Sequence, residues 1–382
     1  LRRLGLPHVR LAERVLLRKF GKYYAYNAKT DELYELDKEA LEFLLRCDGR
    51  ALKIEEDLLN LLLSEGLVEI SDKMVKNSFI EQEEPSLRYL LLNITWKCNL
   101  SCEHCYVKQK ESFMDKQIFL RVLRDFSEMG GLKIMISGGE PLLHPQIRNF
   151  LEIARKFPFR IILLTNGYLI NKEIAENISK YVDEVQISFD GLEGHRILRK
   201  RDWKEVLRAI EILSDFVEVS VSTMITKYNS DEFEDMKQLL EDIGIKKWMI
   251  DVPTVEKDII PPMEKVSEIM RKYGFGELGH FSEAGFACGA HFCSVTPEGD
   301  VTKCGFFEER VGNIQEGLRV CWKRLKERFL WKLSELKCRC ENLEKCKGGC
   351  RYRALIYSGD LFSCDPVMCS LYENLKSGGE IR

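Results

Sequence analysis

The sequence lacks any apolar run fit for a membrane helix: nothing in its 382 residues approaches the roughly 18 uncharged apolar positions that such a span needs. It also lacks an excess of either charge sign. Lys and Arg number 58 against 61 Asp and Glu, a net charge of −3, so bulk charge implies no polyanionic partner. Its arginine-containing start has no secretory core, because Glu13, Arg14 and Arg18 interrupt the apolar residues there. The N-terminal stretch carries no concentrated basic recognition helix, so nucleic acid is not an expected partner, and neither is a membrane. What is present is a globular composition, 45% hydrophobic and 31% charged. The chain exceeds one ordinary core, so two or three domains are expected.

Fourteen cysteines are many for a chain with no secretory signature. Clustered in such a chain, they point to metal rather than disulfides and to a cytoplasmic, oxygen-poor setting. The central cluster is Cys98-x3-Cys102-x2-Cys105, directly after the alternating apolar stretch Leu90–Thr95. So short a loop turns three thiolates toward one point and supplies no fourth. Soft thiolates select zinc, copper(I) or iron–sulfur clusters, and structural zinc closes with four ligands. His104 adjoins Cys105, which makes a joint tetrahedral chelate awkward. A [4Fe–4S] cluster with one iron left open suits the loop better.

Residues 1–75 read as a separate small domain. Val15–Phe20, Tyr23–Tyr26 and Glu32–Leu36 alternate as strands around turns at Gly21-Lys22 and Asn27–Asp31. Asp37 caps a helix running to about Cys47 with Leu41 and Leu44 on one face. A second helix over about 54–64 and a short strand over 67–70 complete a winged-helix-like plan. Residues 76–87, with Glu81-Gln82-Glu83-Glu84-Pro85, read as a linker. From 88 to 279 strands and helices alternate, which means a parallel sheet. In such a sheet the functional loops belong at the C-terminal strand ends. There lie Cys98–Cys105, Gly138-Gly139-Glu140-Pro141, Asn166-Gly167 and Asp190-Gly191.

The cysteine loop followed by these stretches in this order resembles the radical S-adenosylmethionine (SAM) superfamily. The resemblance implies an α/β fold with a partial (β/α)6 TIM-like barrel. It also implies a [4Fe–4S] cluster on Cys98, Cys102 and Cys105 whose open iron takes SAM. On this reading His104 packs beside the adenine. Gly138, Gly139, Glu140 and Pro141 receive the methionine amino group, with Asn166 at the next strand end. Ser188 and Asp190 read the ribose or methionine part, Arg199 pairs with the SAM carboxylate, and Thr223 borders the adenine. The family's His-Asp-x-x-Arg stretch is here His195-Arg196-Ile197-Leu198-Arg199, with Arg196 in place of the aspartate.

Residues 280–376 hold Cys288-x4-Cys293-x10-Cys304 around the turn Pro297-Glu298-Gly299-Asp300, then Cys338-x-Cys340-x5-Cys346-x3-Cys350, Cys364 and Cys369. This resembles the SPASM extension of radical SAM maturases, an iron–sulfur domain with two auxiliary [4Fe–4S] clusters, giving three clusters in all. The resemblance assigns Cys288, Cys293, Cys304 and Cys350 to auxiliary cluster I. It assigns Cys340, Cys346 and Cys369 to auxiliary cluster II, with Cys338 as fourth and Cys321 or Cys364 as alternatives. The segment 317–337 reads as a connector helix, and 377–382 as a tail. Cys47 and Cys321 read as small buried hydrophobes.

The N-terminal plan, with Leu36-x3-Ala40-x3-Leu44, resembles the peptide-recognition element typified by the pyrroloquinoline quinone biosynthesis chaperone. It implies that a precursor peptide is accepted as an added strand. The expected chemistry is reductive cleavage of SAM to a 5′-deoxyadenosyl radical, using a donor such as ferredoxin or flavodoxin, then hydrogen abstraction from a substrate C–H. Gly305 follows Cys304 where the sulfatase-modifying branch has an aspartate, which argues against that reaction. Modification or crosslinking of a ribosomal peptide is one expectation. Modification of a tetrapyrrole side chain is the other, from the likeness of Gly348–Ala354, Gly359-Asp360 and Asp365-Pro366 to that branch.

Overall fold

The computed structural model describes residues 6–255, 258–275 and 285–373. The tail at 377–382 and the expected boundary at 279/280 lie outside them.

The N-terminal part runs β1 (His8–Leu11), β2 (Val15–Phe20), β3 (Lys22–Asn27), β4 (Glu32–Leu36), α1 (Lys38–Arg46), β5 (Asp48–Ala51), α2 (Glu56–Ser64) and β6 (Val68–Ile70). Asp37 accepts from the Ala40 N–H and starts α1, whose Leu41 and Leu44 are buried. They share a core with Val9, Leu17 and Ala25. A further strand, β7 (Phe79–Gln82), falls inside the stretch read as a linker and pairs in parallel with β2. That reading is corrected: Phe79 packs on the N-terminal core, and the strand becomes one edge of a β4-β3-β2-β7 sheet. A smaller sheet has the order β5-β1-β6.

Six parallel strands follow in chain order: β8 (Tyr89–Asn93), β9 (Lys133–Ser137), β10 (Arg160–Thr165), β11 (Glu184–Ser188), β12 (Glu218–Met224) and β13 (Lys247–Asp251). Between and after them come α3 (Lys116–Glu128), α4 (Ile147–Ala154), α5 (Lys172–Ile178), α6 (Glu193–Arg199), α7 (Trp203–Ser214), α8 (Phe233–Asp242) and α9 (Met263–Tyr273). This is the expected partial barrel. Successive residues of its strands alternate between faces. Leu90, Leu92, Ile134 and Ile136 pack on the helices, α3 presenting Phe119, Val122, Leu123 and Phe126 to them. Tyr89, Leu91, Met135 and Ile162 form a separate cluster on the other face.

The sheet continues past the six. Strand β14 (Phe292–Val295) runs parallel to β8, and β15 (Asp300–Thr302) and β16 (Arg310–Asn313) follow antiparallel, so one nine-stranded sheet spans the expected boundary between barrel and C-terminal domain. Helix α10 (Leu318–Phe329) buries Leu318, Cys321, Trp322 and Leu325. Short helices α11 (Leu343–Cys346), α12 (Arg351–Ser358) and α13 (Pro366–Glu373) complete the described chain. No helix among the described residues is long and apolar enough to cross a membrane.

The N-terminal part seats on the barrel's foot, opposite the motif-bearing ends. Asp31 Oδ2 lies 2.5 Å from Lys133 Nζ at the start of β9. Arg14 meets Asp183 at 2.6 Å. The fully buried Arg160 donates to Glu184, Glu218 and the Lys29 carbonyl at 2.8, 2.7 and 2.7 Å. Buried charges of this kind are tolerated only when each is paired.

Candidate active site

The loop after β8 is shaped by its neighbours at the strand ends. Gly139 N–H donates to the Thr95 carbonyl at 2.8 Å and Glu140 N–H to the Lys97 carbonyl at 2.9 Å. A Cβ on Gly139 would stand 2.4 Å from the Lys97 oxygen, so only glycine lets these two segments meet. On the far side Glu103 N–H donates to the Leu198 carbonyl at 2.8 Å, docking the loop on α6. Cys98, Cys102 and Cys105 face one another. Burial pushes the Cys98 thiol up and takes Cys102 to about 11, with Arg199 pulling the latter back. Arg199 Nη1 lies 3.9 Å from Cys102 Sγ, and Asn166 Nδ2 lies 3.9 Å from Cys98 Sγ and 2.8 Å from Asn99 Oδ1. The loop therefore presents three thiols ringed by one guanidinium and one amide.

Behind it stands a buried polar network. Glu140 accepts from Leu142 N–H, Thr165 Oγ1 and Asn166 N–H at 3.1, 2.8 and 2.9 Å. Burial nevertheless raises its carboxyl to about 7. Arg199 Nε donates to Asp190 Oδ2 at 2.6 Å, while Met224 N–H holds Asp190 Oδ1 at 2.8 Å. Burial pushes Asp190 up, and Arg199, His104 and His195 more than offset it, leaving the carboxyl below its usual value. His195, driven down to about 3 by burial and by Arg199, is neutral, bridging Tyr168 Oη and the Asp190 N–H.

The expected contacts with SAM divide on this geometry. Gly138, Gly139 and Ser188 have open surface, and Asn166, Arg199 and His104 keep a margin of it. Glu140, Asp190 and Thr223 are each 0% exposed and held by protein partners. Glu140 orients Asn166, and Asp190 orients Arg199. The Thr223 hydroxyl is taken up between Trp248 Nε1 and the Phe189 carbonyl at 2.8 and 2.5 Å. Pro141 is likewise buried, opening a short 3-10 turn after Glu140.

The second cysteine group divides as well. The Cys350 thiol donates to Cys288, which holds Cys288 well below an ordinary thiol. Cys304, held up at about 11 by burial, faces Cys288. Cys293 does not join them. On β14 Phe292 belongs to the lumen cluster with Cys304, so Cys293, one residue on, turns into the helix-side core and faces Cys321. Farther along, Cys340 faces Cys346, and Cys369 lies in α13, where its N–H bonds the Asp365 carbonyl. Cys338, expected as a ligand, is 4% exposed, and its sulfur lies against that of Cys364. Lys337 N–H donates to the Phe362 carbonyl at 2.8 Å, which brings those two segments together. Among the described residues no three His, Cys, Asp or Glu side chains converge on a single-ion site. The thiols of a cluster ligate separate irons and need no such point.

Two features escaped the sequence reading. Asp365 Oδ2 accepts from Cys350 N–H at 2.7 Å and pairs with Arg353 at 2.8 Å, tying α12 to α13; its only signal was the Asp365-Pro366 pair. The other is an aromatic bridge between the cysteine loops. Tyr106, after Cys105, lies edge-on to Phe306 with centroids 4.8 Å apart, and Phe306 stacks on Tyr352 at 5.6 Å.

Residues 92–243 match the radical SAM superfamily. The chain is 27% identical over 340 residues to the antilisterial bacteriocin subtilosin biosynthesis protein AlbA of Bacillus subtilis (strain 168), covering 74% of this chain and 75% of that one. It is 28% identical over 333 residues to an AdoMet-dependent heme synthase of Methanosarcina barkeri, covering 73% of this chain and 95% of that one. In fold it resembles Streptococcus suis SuiB bound to its precursor peptide SuiA, with a TM-score of 0.66 at 16% identity over 94% of this chain and 98% of that one.

Proposed function

We propose that this chain, whose residues 92–243 match the radical SAM superfamily, is a radical SAM enzyme that modifies or crosslinks a ribosomally made precursor peptide. The domain binds SAM at a [4Fe–4S] cluster, which when reduced supplies the 5′-deoxyadenosyl radical. The chain's own residues hold and orient. Cys98, Cys102 and Cys105 fit the cluster, since three thiols share one loop with no fourth beside them. Arg199, aimed by Asp190, meets a carboxylate; the glycines Gly138 and Gly139 let backbone approach the ligand; His104 flanks it. Cys288, Cys304 and Cys350 suit one auxiliary cluster, and Cys340, Cys346 and Cys369 another. A ferredoxin or flavodoxin supplies the electron.

The observation that carries the peptide reading is the fused N-terminal domain, whose β4 lies at a sheet edge, an arrangement able to receive an added strand. The fold likeness to SuiB spans 94% of the chain, and a relative is named for bacteriocin biosynthesis. The heme synthase relative keeps a tetrapyrrole side chain as the second reading. Anaerobic incubation with SAM, reductant and the peptide encoded by a short reading frame beside the gene distinguishes them. A product peptide lighter by two hydrogens supports the first reading. An unchanged peptide, with a propionate-bearing iron tetrapyrrole turned over instead, overturns it.

A further inference from the structure

Lys303 is a buried ammonium group. It follows β15, is 2% exposed, donates from Nζ to the Gly289 carbonyl at 2.5 Å, and lies 5.5 Å from the centre of the Trp331 ring. Among the described residues no Asp or Glu pairs with it. It directly precedes Cys304, and the carbonyl it bonds belongs to the residue after Cys288, so the ammonium group stands beside both cysteines. The nearby His291 is neutral, driven down to about 3 by burial and by Arg88.

An ammonium group taken out of water without a counter-charge costs on the order of several kcal/mol. The carbonyl and the ring offset part of that. Cluster thiolates on the neighbouring cysteines would offset the rest.

We infer that Lys303 sets the reduction potential of the cluster on Cys288, Cys304 and Cys350 by holding a fixed positive charge against it. Cluster potentials follow net charge, hydrogen bonding and exposure to solvent, and a charge buried in a low-dielectric interior acts at nearly full strength. A positive neighbour stabilises the reduced form, which carries one more electron. The step it favours moves one electron from a substrate carbon radical, which is oxidised, to the cluster, which is reduced; Lys303 keeps its proton throughout. The inference rests on the auxiliary donor set proposed above and is independent of whether the substrate is a peptide.

The test is an anaerobic redox titration of the reconstituted full chain followed by electron paramagnetic resonance, with iron counted on the same samples. Wild type is compared with Lys303→Met, which keeps the length and removes the charge, and Lys303→Arg, which keeps the charge. One midpoint should move to lower potential in Lys303→Met, the others should stay, and Lys303→Arg should remain near wild type. Loss of one cluster's iron, roughly four atoms, in Lys303→Met but not in Lys303→Arg would also support the role of charge. Unmoved midpoints at full iron, or equal changes in both variants, would overturn it. Wild-type iron of only about four per chain would remove the auxiliary donor set and the inference together, while leaving SAM cleavage and the peptide assay to stand on their own.

Discussion

A Cβ placed on Gly305 would lie 2.8 Å from the hydroxyl oxygen of Tyr106. The residue after Cys304 thus has no side chain where the residue after Cys105 has its phenol, and the two cysteine loops interlock at that point. Gly305→Ala should destabilise the protein by about 1–3 kcal/mol, the usual cost of overpacking. Tyr106→Ala should relieve most of that cost in the double variant. Thermal unfolding of the four forms checks the coupling; simple additivity would mean that the contact is slack.

Gly139 meets a harder limit. Its Cβ would fall 2.4 Å from the Lys97 carbonyl oxygen and 2.7 Å from the Lys97 carbonyl carbon, backbone that leads directly into Cys98. Gly139→Ala should displace the loop and lower reconstituted iron by roughly one cluster, four atoms, while Gly244→Ala, at a glycine with nothing within 4 Å, should leave iron unchanged. The iron count of the two variants decides it.

Glu140 supplies a pH dependence. Burial raises its carboxyl to about 7, above the usual value near 4.3. The folded state therefore binds this proton more tightly than the unfolded state. Its contribution to stability is fully present below about pH 4, declines as pH rises from there, and is gone above about 7, a change of roughly 4 kcal/mol. The melting temperature of the ligand-free protein should fall between pH 5 and 8 by more than that of Glu140→Ala over the same range.

Arg199 is held against a carboxylate that has no access to water: Asp190 is 0% exposed and 2.6 Å away. Arg199→Met leaves that charge unpaired in the interior, at a cost of about 3–5 kcal/mol. Asp190→Asn in the same chain should recover part of it. Chemical denaturation measures the loss, and SAM binding measured separately should be weakened in both variants.

The barrel was legible because its strands are apolar on both faces and its helices carry caps such as Asp115 and Asp202. What escaped notice was short or lacked pattern. Strand β5 is Asp48-Gly49-Arg50-Ala51, a stretch with no apolar alternation. Strand β7 lies among glutamates and becomes a strand only because β2 offers it an edge. Its pairing also means that removing residues 1–75 would strip the sheet and expose Lys133, Arg160 and Asp183, so point changes test peptide docking more cleanly than a deletion. Within the site, spacing located Cys98, Cys102 and Cys105, whereas the facing of Cys293 depends on strand register, which spacing does not encode. Lys303 gave no sequence signal, because a lysine is ordinarily exposed and only the fold buries it.

The central claim is that Cys98, Cys102 and Cys105 carry a cluster at which SAM is cleaved reductively. Anaerobically reconstituted protein, supplied with SAM and dithionite, should form 5′-deoxyadenosine and methionine, and replacing any of the three cysteines by alanine should abolish it. Iron-loaded wild-type protein that releases no 5′-deoxyadenosine, or a Cys102→Ala variant that still does, would contradict the account.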